Sequence, residues 1–292
     1  MNVLEVIIRR VKALIPYKMQ YLFRRKRIEK YLKMEVHITE HCNLNCKGCF
    51  HFSCIANKEF LSLNVFESNL KRLSELTRKL PEIVLLGGEP LLHPQICSFI
   101  VTSRNYFPNT LIKILTNGIL LEKQSNKFWS TCKDNNVIIS ISLYPINIDF
   151  KNIERIAMEQ KVHLIYDEDY TKTYSHISDK HTMYKWYLDI AGKQNYIKNY
   201  NNCRHKGGLC ITLRDGKLYP CCTVAHIIFF NRMFNKNLDV TDRDYIDIYK
   251  TDSIDDVYDF MIKPFPFCRY CIPLKQHTVD WSVTKKEITE WT

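Results

Sequence analysis

Three cysteines in one short stretch are the first residues that could do chemistry. They are Cys42, Cys46 and Cys49, in the run Cys-Asn-Leu-Asn-Cys-Lys-Gly-Cys. Three thiolates this close in sequence converge only where a loop wraps around something, and soft sulfur ligands favour an iron–sulfur cluster or zinc. A zinc ion would need a fourth ligand, for which His41, His51 and Cys54 are near enough in sequence. A 4Fe–4S cluster held by three cysteines instead leaves one iron open for chemistry.

A second set of cysteines lies in the last third of the chain. Its members are Cys203, Cys221 in the run Gly-Lys-Leu-Tyr-Pro-Cys, and the pair Cys268 and Cys271. Four thiolates would close a cluster completely, which suits it to electron transfer and not to direct binding of substrate. A structural zinc ion is the alternative that the same four thiolates allow. Cys210 and Cys222 are close enough in sequence to replace a named ligand, whereas Cys54, Cys97 and Cys132 are expected to be buried thiols.

A Gly-Gly-Glu-Pro turn after a predicted strand is the third chemical feature. It comprises Gly87, Gly88, Glu89 and Pro90. The glycines permit close approach of the backbone to a ligand, and the Glu89 carboxylate can bind an ammonium group. Taken alone, such a turn is more often an ordinary loop.

Strands that alternate with helices must position these motifs. The strands are predicted at 35–39, 83–86, 111–115, 137–142 and 162–166, and the helices at 63–80, 94–106, 122–134 and 150–159. This alternation predicts an α/β fold with a parallel sheet, either doubly wound or a barrel. In both architectures ligands gather at the carboxyl ends of the strands, where the first cysteine loop and the Gly-Gly pair fall.

The pattern changes in the last third of the chain. Segments 209–213 and 217–219 flank an Asp-Gly pair, which predicts a hairpin, and Ser253 is predicted to cap a helix over 254–262. We therefore expect three parts, which are a basic N-terminal extension (1–33), an α/β domain (34–195) and a small α+β, cysteine-rich module (196–292).

The formal net charge of +11 is concentrated in the extension. Residues 1–33 hold ten Lys and Arg against two Glu, and apolar residues recur between them at near-helical spacing. Two interpretations remain open, namely a basic amphipathic helix on an anionic membrane or a partner, and a helix packed on its own protein. The apolar run is too short and too charged to span a bilayer, and no signal peptide is recognisable. The sequence predicts a cytoplasmic protein, with peripheral membrane contact through residues 1–33 under the first interpretation.

The cysteine loop and the later turn together resemble the radical S-adenosylmethionine (radical SAM) superfamily. The loop is similar to the family's C-x3-C-x2-C signature, and the turn to the Gly-Gly-Glu-Pro motif that contacts the amino group of the cofactor's methionine. The resemblance implies a partial (β/α)6 barrel of the TIM type. It also implies a 4Fe–4S cluster on Cys42, Cys46 and Cys49, whose open iron binds S-adenosylmethionine. One departure is Gly48, because the family usually has an aromatic residue there; in this chain Phe50 follows the third cysteine.

Two further groups of residues follow from the resemblance. Asn117, at the end of the third predicted strand, and Ser140 and Ser142, on the fourth, occupy positions where the family commonly places ribose or carboxylate contacts. The second cysteine set resembles the auxiliary-cluster modules called SPASM and, in the one-cluster form, twitch. The twitch form fits better and implies a second 4Fe–4S cluster on Cys203, Cys221, Cys268 and Cys271.

The resemblance implies an enzyme of the oxidoreductase or epimerase type, which cleaves S-adenosylmethionine reductively to a 5′-deoxyadenosyl radical. We predict hydrogen abstraction from a carbohydrate, cyclitol or glycan-linked substrate, because the layout is most similar to that of scyllo-inosamine dehydrogenases. The predicted partners are a small-molecule substrate, lipid-linked in one hypothesis, and a flavodoxin- or ferredoxin-type reductant; no nucleic acid is expected.

Two alternatives remain at this point. The first is modification of a ribosomally synthesised peptide or of a protein side chain. The second is a non-catalytic metal- or RNA-binding protein, because aromatic residues such as Tyr17, Tyr21 and Phe23 lie among the N-terminal bases.

Overall fold

The computed structural model describes residues 17–167, 182–185, 187–203, 210–275 and 277–292. Its strands are β1 Lys33–Thr39, β2 Glu82–Gly87, β3 Leu111–Thr116, β4 Val137–Ile141, β5 His163–Tyr166, β6 Thr182–Lys185, β7 Cys210–Arg214, β8 Lys217–Tyr219, β9 Ile246–Asp247 and β10 His277–Asp280. Its α-helices are α1 Tyr17–Tyr31, α2 Leu63–Leu76, α3 Ile96–Tyr106, α4 Asn126–Asp134, α5 Phe150–Glu159, α6 Tyr196–Asn202, α7 Cys222–Phe234 and α8 Ile254–Met261.

A mixed sheet of eight strands has the order β5-β4-β3-β2-β1-β7-β8-β9. Neighbours from β5 to β7 pair in parallel, whereas β7, β8 and β9 are antiparallel. Parallel strands are covered on both faces, which is why β2 and β3 are almost continuously apolar and buried. The predicted α/β class and the five predicted parallel strands are confirmed.

Helices α2 to α5 connect successive parallel strands and begin and end where local chemistry dictates. The side chains of Ser125 and Asp149 accept hydrogen bonds from backbone N–H groups in the first turns of α4 and α5. Helix α2 ends four residues before the predicted end, because Thr77 is extended. Segment 121–123, expected to start α4, forms a separate 3-10 turn.

The strand that follows β5 does not extend the parallel sheet. Strand β6 pairs antiparallel with β10 in a separate two-stranded sheet. Strand β7 instead pairs in parallel with the free edge of β1. The proposed division at residue 195 therefore cuts through one continuous sheet, since the C-terminal module adds its strands directly to the first strand of the α/β domain.

The predicted hairpin is confirmed as β7 and β8. Asp215 and Gly216 have φ values of +50° and +72°. Positive φ at both central residues is the requirement of a type I′ turn, whose twist matches the flanking strands. An Asp-Gly pair meets this requirement with little steric cost.

The described part of the N-terminal extension packs on its own protein. The Tyr21 hydroxyl donates to Asp259, and Arg25 forms ion pairs with Asp255 and Asp259 on α8. Ile28 is fully buried below these contacts. The outer face of α1 remains exposed, with basic Lys26, Arg27 and Lys30 and apolar Met19, Leu22 and Phe23. The apolar positions that predicted an earlier helical segment, 3–15, lie outside the described residues.

Two hydrophobic cores support the molecule. The first fills the space between the parallel sheet and helices α2 to α5. The second is rich in aromatic side chains and joins the cysteine regions, with members Phe52, Phe229, Phe230, Phe267, Cys268 and Trp291. No helix of the described residues is both long enough and apolar enough to cross a membrane.

Candidate active site and iron–sulfur sites

A cavity of about 310 Å³ opens at the carboxyl ends of the parallel strands. Its described lining includes Cys42, Cys46 and Cys49 from the loop after β1, Gly87 and Gly88 after β2, Thr116 and Asn117 at the end of β3, Ser142 and Tyr144 after β4, and Asp167 after β5. The structure therefore brings the first cysteine set, the glycine pair and two of the three predicted polar contacts to one cavity. This is the edge at which ligands bind in parallel α/β sheets.

Each thiol of the first set receives N–H donors. Leu44 N donates to Cys42 Sγ at 3.3 Å, and Trp281 Nε1 donates to Cys46 Sγ at 3.2 Å. The Cys49 thiol accepts from the backbone N–H groups of residues 51, 52 and 53. Such donors stabilise negative charge on sulfur and are a typical outer shell of a thiolate-ligated metal.

Without a cation these thiols would stay protonated at neutral pH. Burial is the largest cause that raises the pKa of Cys42 and Cys46, each to about 12, and burial also raises the pKa of Cys49. A thiolate is the metal-binding form, so positive charge from iron would be needed to hold all three deprotonated. Three convergent thiols with N–H donors on one side and a cavity on the other fit a 4Fe–4S cluster, which Cys42, Cys46 and Cys49 would hold.

The residues considered as a fourth zinc ligand occupy different places. Cys54 is buried in the second core and does not line the cavity, although its pKa is raised by burial and by the nearby Cys49 and Cys46. His51 does line the cavity, and its Nδ1 lies 2.7 Å from Nε2 of His37. Cys132 is buried in the first core, as predicted, whereas Cys97 is only partly buried and packs against that core, so the prediction of a buried thiol is wrong for Cys97.

The glycine pair is required by contact between two backbones. A Cβ atom on Gly87 would lie 2.0 Å from the carbonyl oxygen of Thr39, and one on Gly88 would lie 2.0 Å from that of His41. Gly88 N also donates to Thr39 O at 3.0 Å. The turn after β2 thus packs directly on the chain that leads into Cys42, which places both segments on the same cavity.

The Glu89 carboxylate does not face the cavity, where the sequence predicted that it would bind an ammonium group. The carboxylate is fully buried and does not line the cavity, and it accepts from Thr116 Oγ1 (2.6 Å), Asn117 N (2.9 Å) and Leu91 N (3.1 Å). Burial is the main cause that raises the pKa of Glu89 to about 7. The carboxylate joins the ends of β2 and β3 and caps the short 3-10 helix that begins at Pro90, which is itself buried. In this arrangement the backbone of the glycine pair, and not the Glu89 side chain, faces a ligand.

Of the three polar residues suggested by the resemblance, two line the cavity and one does not. Asn117 lines the cavity, and its Nδ2 lies 3.7 Å from Cys42 Sγ and 2.8 Å from Asn43 Oδ1. Ser142 also lines the cavity. Ser140 is fully buried within β4 and is not among the described lining residues, because it lies inside the strand, whereas Ser142 follows the carboxyl end of the strand, where the cavity opens.

Sequence reasoning missed three residues of this site. Asp167 directly follows β5 and accepts from Leu143 N at 3.0 Å, and Tyr144 follows β4 and hydrogen-bonds to Cys46. Both lie at strand ends, and that position could have identified them. Trp281 is separated from Cys46 by 235 positions, and only the tertiary structure brings the two together.

The C-terminal segment also explains the unusual Gly48. This residue has φ +65°, and a Cβ on it would lie 3.0 Å from the carbonyl oxygen of Glu290. Gly48 N donates to Glu290 Oε2 at 3.2 Å, and Trp291 Nε1 donates to Cys49 O at 2.9 Å. A side chain at position 48 would strain the backbone at this positive φ and crowd the Glu290 carbonyl oxygen, which explains the glycine.

The second cysteine set converges near the aromatic core. The thiols of Cys203, Cys221, Cys268 and Cys271 interact electrostatically with one another. Burial first, and then the other thiols, raise the pKa of Cys268 and Cys271. Asn199 Nδ2 holds both backbone carbonyls of this pair, at 3.0 Å and 2.5 Å. Four neighbouring thiols, of which Cys268 and Cys271 have pKa values raised by the others, fit a closed metal site, which they would complete as thiolates.

Cys221 differs from its partners. It precedes α7, and hydrogen bonds from the Cys222 side chain and from the N–H groups of residues 223 and 224 lower its pKa to about 6. Cys222 therefore contacts Cys221 as a hydrogen-bond donor. The side chain of Cys210 lies outside the described residues, so its role as a substitute ligand stays a prediction.

Comparisons with known proteins agree with this geometry. A family model described as a 4Fe-4S single cluster domain matches residues 33–162. A cysteine-type anaerobic sulfatase-maturating enzyme of Clostridium novyi is 29% identical over 115 residues, or 36% of this chain and 30% of that protein. A GTP 3',8-cyclase of a Sulfurovum species is 31% identical over 97 residues, or 32% of this chain and 29% of that protein. The chain thus spans less than a third of the length of these two relatives.

One solved structure covers nearly the whole fold. The crystal structure of BtrN in complex with AdoMet and 2-DOIA superposes with a TM-score of 0.51 at 17% identity, over 89% of this chain and 98% of that chain. The fold and the thiol-lined cavity define an α/β protein of the iron–sulfur type. The 4Fe-4S domain match and the shared fold support the resemblance to the radical SAM superfamily with a C-terminal module of the twitch or SPASM type.

Proposed function

We propose that this radical SAM enzyme oxidises an alcohol carbon of a carbohydrate, cyclitol or glycan-linked substrate. One observation supports this most directly, which is the combination of a three-thiol cavity with a separate, enclosed set of four thiols. When bound at the first set, the cluster and S-adenosylmethionine supply the 5′-deoxyadenosyl radical that abstracts hydrogen. The residues of this chain bind the reactants, exclude water and handle the proton.

Polar side chains within a largely apolar cavity lining supply the contacts for a hydroxyl-bearing substrate. Asn117 and Ser142, at the ends of β3 and β4, are the residues that the resemblance assigns to the cofactor, and Asp167 offers a carboxylate for a substrate hydroxyl at the end of β5. We assign Asp167 as the acceptor of the hydroxyl proton that is released when an alcohol is oxidised to a carbonyl. The electron left on the substrate would pass toward Cys203, Cys221, Cys268 and Cys271, whose closed site suits electron transfer.

The cavity favours oxidation over epimerisation, because each thiol in its described lining is already assigned to iron. An epimerase must return a hydrogen atom to the opposite face of the substrate, and a thiol is a suitable donor. Among the described lining residues, the thiols are those of Cys42, Cys46 and Cys49, which are assigned to iron. The same lining does contain a carboxylate, Asp167, which an oxidation can use.

The test is an anaerobic incubation of reconstituted enzyme with S-adenosylmethionine, a flavodoxin or ferredoxin reductant, and substrates deuterated at the carbinol carbon. We expect deuterium in 5′-deoxyadenosine and a carbonyl product with a sugar or cyclitol. Asp167→Asn should retain substrate-independent cleavage and lose most of the carbonyl product, whereas Asp149→Asn, outside the cavity at the cap of α5, should behave as wild type. Turnover with peptides alone would support the sulfatase-maturating relative's class of substrate and reject a sugar.

The outer face of α1 supports a further part of the proposal, contact with an anionic membrane that presents a lipid-linked substrate. Its exposed apolar side chains, Met19, Leu22 and Phe23, lie among exposed Lys26 and Arg27 on one face and are not separated from them, so the contact is proposed as mainly electrostatic. Cosedimentation with phosphatidylserine vesicles should be reduced by Leu22→Ser/Phe23→Ser and by salt. Equal retention on neutral and anionic vesicles would contradict the electrostatic part of this contact.

A further inference from the structure

A third group of metal-ligating side chains lies outside both cysteine sets. His37 is on β1, Glu40 follows β1, and His226 is on α7. His37 Nδ1 lies 3.4 Å from Glu40 Oε2, and His226 Nε2 lies 3.6 Å from the same oxygen. All three candidate ligand atoms lie within 4.8 Å of one another. Both imidazoles are buried, and the carboxylate is nearly so.

The hydrogen bonds of His226 leave an unfavourable contact that a cation would remove. Its Nδ1 lies 2.9 Å from the carbonyl oxygen of Cys222, which can only accept, so Nδ1 carries the hydrogen. In the neutral ring Nε2 then carries a lone pair, and it is fully buried with no hydrogen-bond partner among the described residues. Burial holds the pKa of His226 well below its usual value, which favours this neutral form. A lone pair directed at a carboxylate oxygen is repulsive, whereas a metal ion between them would be attractive to both.

Each of the three side chains also has an outer partner that fixes it. Besides the bond from His226 to the Cys222 carbonyl, His37 Nε2 lies 2.7 Å from His51 Nδ1. Arg214 Nη1 lies 3.3 Å from the other oxygen of Glu40, and so directs Oε2 toward the two imidazoles. Outer partners of this kind set the tautomer and orientation of metal ligands in proteins.

The distances match the chemistry of a small divalent ion. Ligand atoms that bind zinc tetrahedrally with bonds of 2.0 to 2.2 Å are about 3.4 Å apart. A small cavity of about 130 Å³ borders His37, Glu40 and Arg214, and it provides an entry route and room for water as a further ligand. Two histidines and one carboxylate are a ligand set used by zinc and by non-haem iron(II).

We propose that His37, Glu40 and His226 bind one divalent transition-metal ion, with zinc as the best match, at a site separate from both cysteine sets. Binding requires the stacked rings of His37 and His226, whose centroids are 3.7 Å apart, to separate so that both lone pairs point at the ion. Because β1 leads into the first cysteine loop and α7 begins at the second set, the ion would link the two cysteine regions. This inference does not depend on the substrate proposed above.

The experiment uses the full chain with both cysteine sets already loaded with iron and sulfide, so that they are closed to zinc. The protein is equilibrated with ZnCl2, desalted and analysed by mass spectrometry for metals. We expect about one zinc per chain in the wild type and a loss of about tenfold in His226→Gln and in Glu40→Gln. His163→Gln, which changes an exposed histidine on β5, should retain the wild-type zinc content.

X-ray absorption at the zinc edge of the wild-type protein is a second measurement that does not depend on folding of a variant. Nitrogen and oxygen neighbours without sulfur are expected. Sulfur neighbours would place the zinc in a cysteine set and overturn the proposal. Absence of bound zinc in the fully loaded wild type, or unchanged zinc in Glu40→Gln/His226→Gln, would overturn it as well.

Discussion

The two cysteine regions contain similar thiols in different surroundings. Cys42, Cys46 and Cys49 line a cavity, whereas Cys268 of the second set is buried in an aromatic core against which Cys221 and Cys271 pack. Three ligands and a cavity leave room for a reactant at the metal, but four ligands would leave no open position at the metal and would allow only electrons to pass. The two sets are similarly buried, so we infer that the number of thiols and the cavity beside the first set, and not burial or the identity of the ligand, separate the chemical site from the electron-transfer site.

The largest effect should come from removal of the first set. In Cys42→Ala/Cys46→Ala/Cys49→Ala, we expect iron to fall from about eight to about four atoms per chain and reductive cleavage of S-adenosylmethionine to vanish. Iron and sulfide analysis and chromatography of 5′-deoxyadenosine measure the two results. Cys97→Ala is the matched control, because its thiol packs against the first core and does not line the cavity. Retention of eight irons in the triple variant would contradict the assignment of this set.

Removal of the second set should separate cleavage from oxidation. Cys268→Ala/Cys271→Ala should also lose about four irons while it retains substrate-independent formation of 5′-deoxyadenosine. We expect the carbonyl product to fall by about a hundredfold, because the electron left on the substrate has no acceptor. Zinc in place of iron at this set in the purified wild type would leave cleavage unchanged and remove the electron-transfer role.

A smaller effect should follow from substitution of a residue in the glycine pair, Gly87 and Gly88. In Gly88→Ala the new Cβ would be 2.0 Å from the His41 carbonyl oxygen, so the turn must move away from the cysteine loop. We expect S-adenosylmethionine binding to weaken by about tenfold or more, measured by equilibrium dialysis, with iron content unchanged. Gly118→Ala is the control. Its Cβ would meet a side-chain methyl at 3.1 Å, and the remaining strain would come from the backbone φ of +82° at that residue. Equal effects of the two variants would mean that general strain, and not the turn, matters.

The smallest effect should come from loss of the N–H group that donates to the Cys46 sulfur. Trp281→Phe removes the N–H that lies 3.2 Å from Cys46 Sγ, and loss of a hydrogen bond to sulfur destabilises the more negative, reduced cluster. A tenfold change in the ratio of oxidised to reduced cluster corresponds to about 59 mV for one electron, and a shift of this order to more negative potential is expected. Redox titration monitored by electron paramagnetic resonance measures it.

Trp291→Phe is the matched control for that variant. Its Nε1 donates to the backbone oxygen of Cys49 and not to a sulfur atom. It should alter stability without the same shift in the potential of the first cluster. A potential that does not change in Trp281→Phe, or that changes equally in both variants, would contradict a direct effect on sulfur.

Local patterns were sufficient for much of the fold. The alternation of apolar strands and amphipathic helices predicted β1 to β5 and α2 to α5, because those patterns reflect burial on a sheet or on one helix face. The Asp-Gly pair at 215–216 predicted the β7–β8 hairpin. The same patterns could not reveal that β7 pairs with β1 or that β6 pairs with β10, since register between distant strands depends on packing of the whole chain.

The sequence by itself determined the chemistry that is available: three thiols in one loop, four in another region, and a glycine turn between strands. Ligand types and their spacing are local properties, and soft sulfur ligands restrict the choice of metal wherever the chain places them. Only the tertiary structure decided that the Glu89 carboxylate is internal, that Trp281 reaches Cys46, and that His37 and His226 meet at Glu40. These contacts join residues far apart in sequence, and they exist because burial of the two cores brings those segments together.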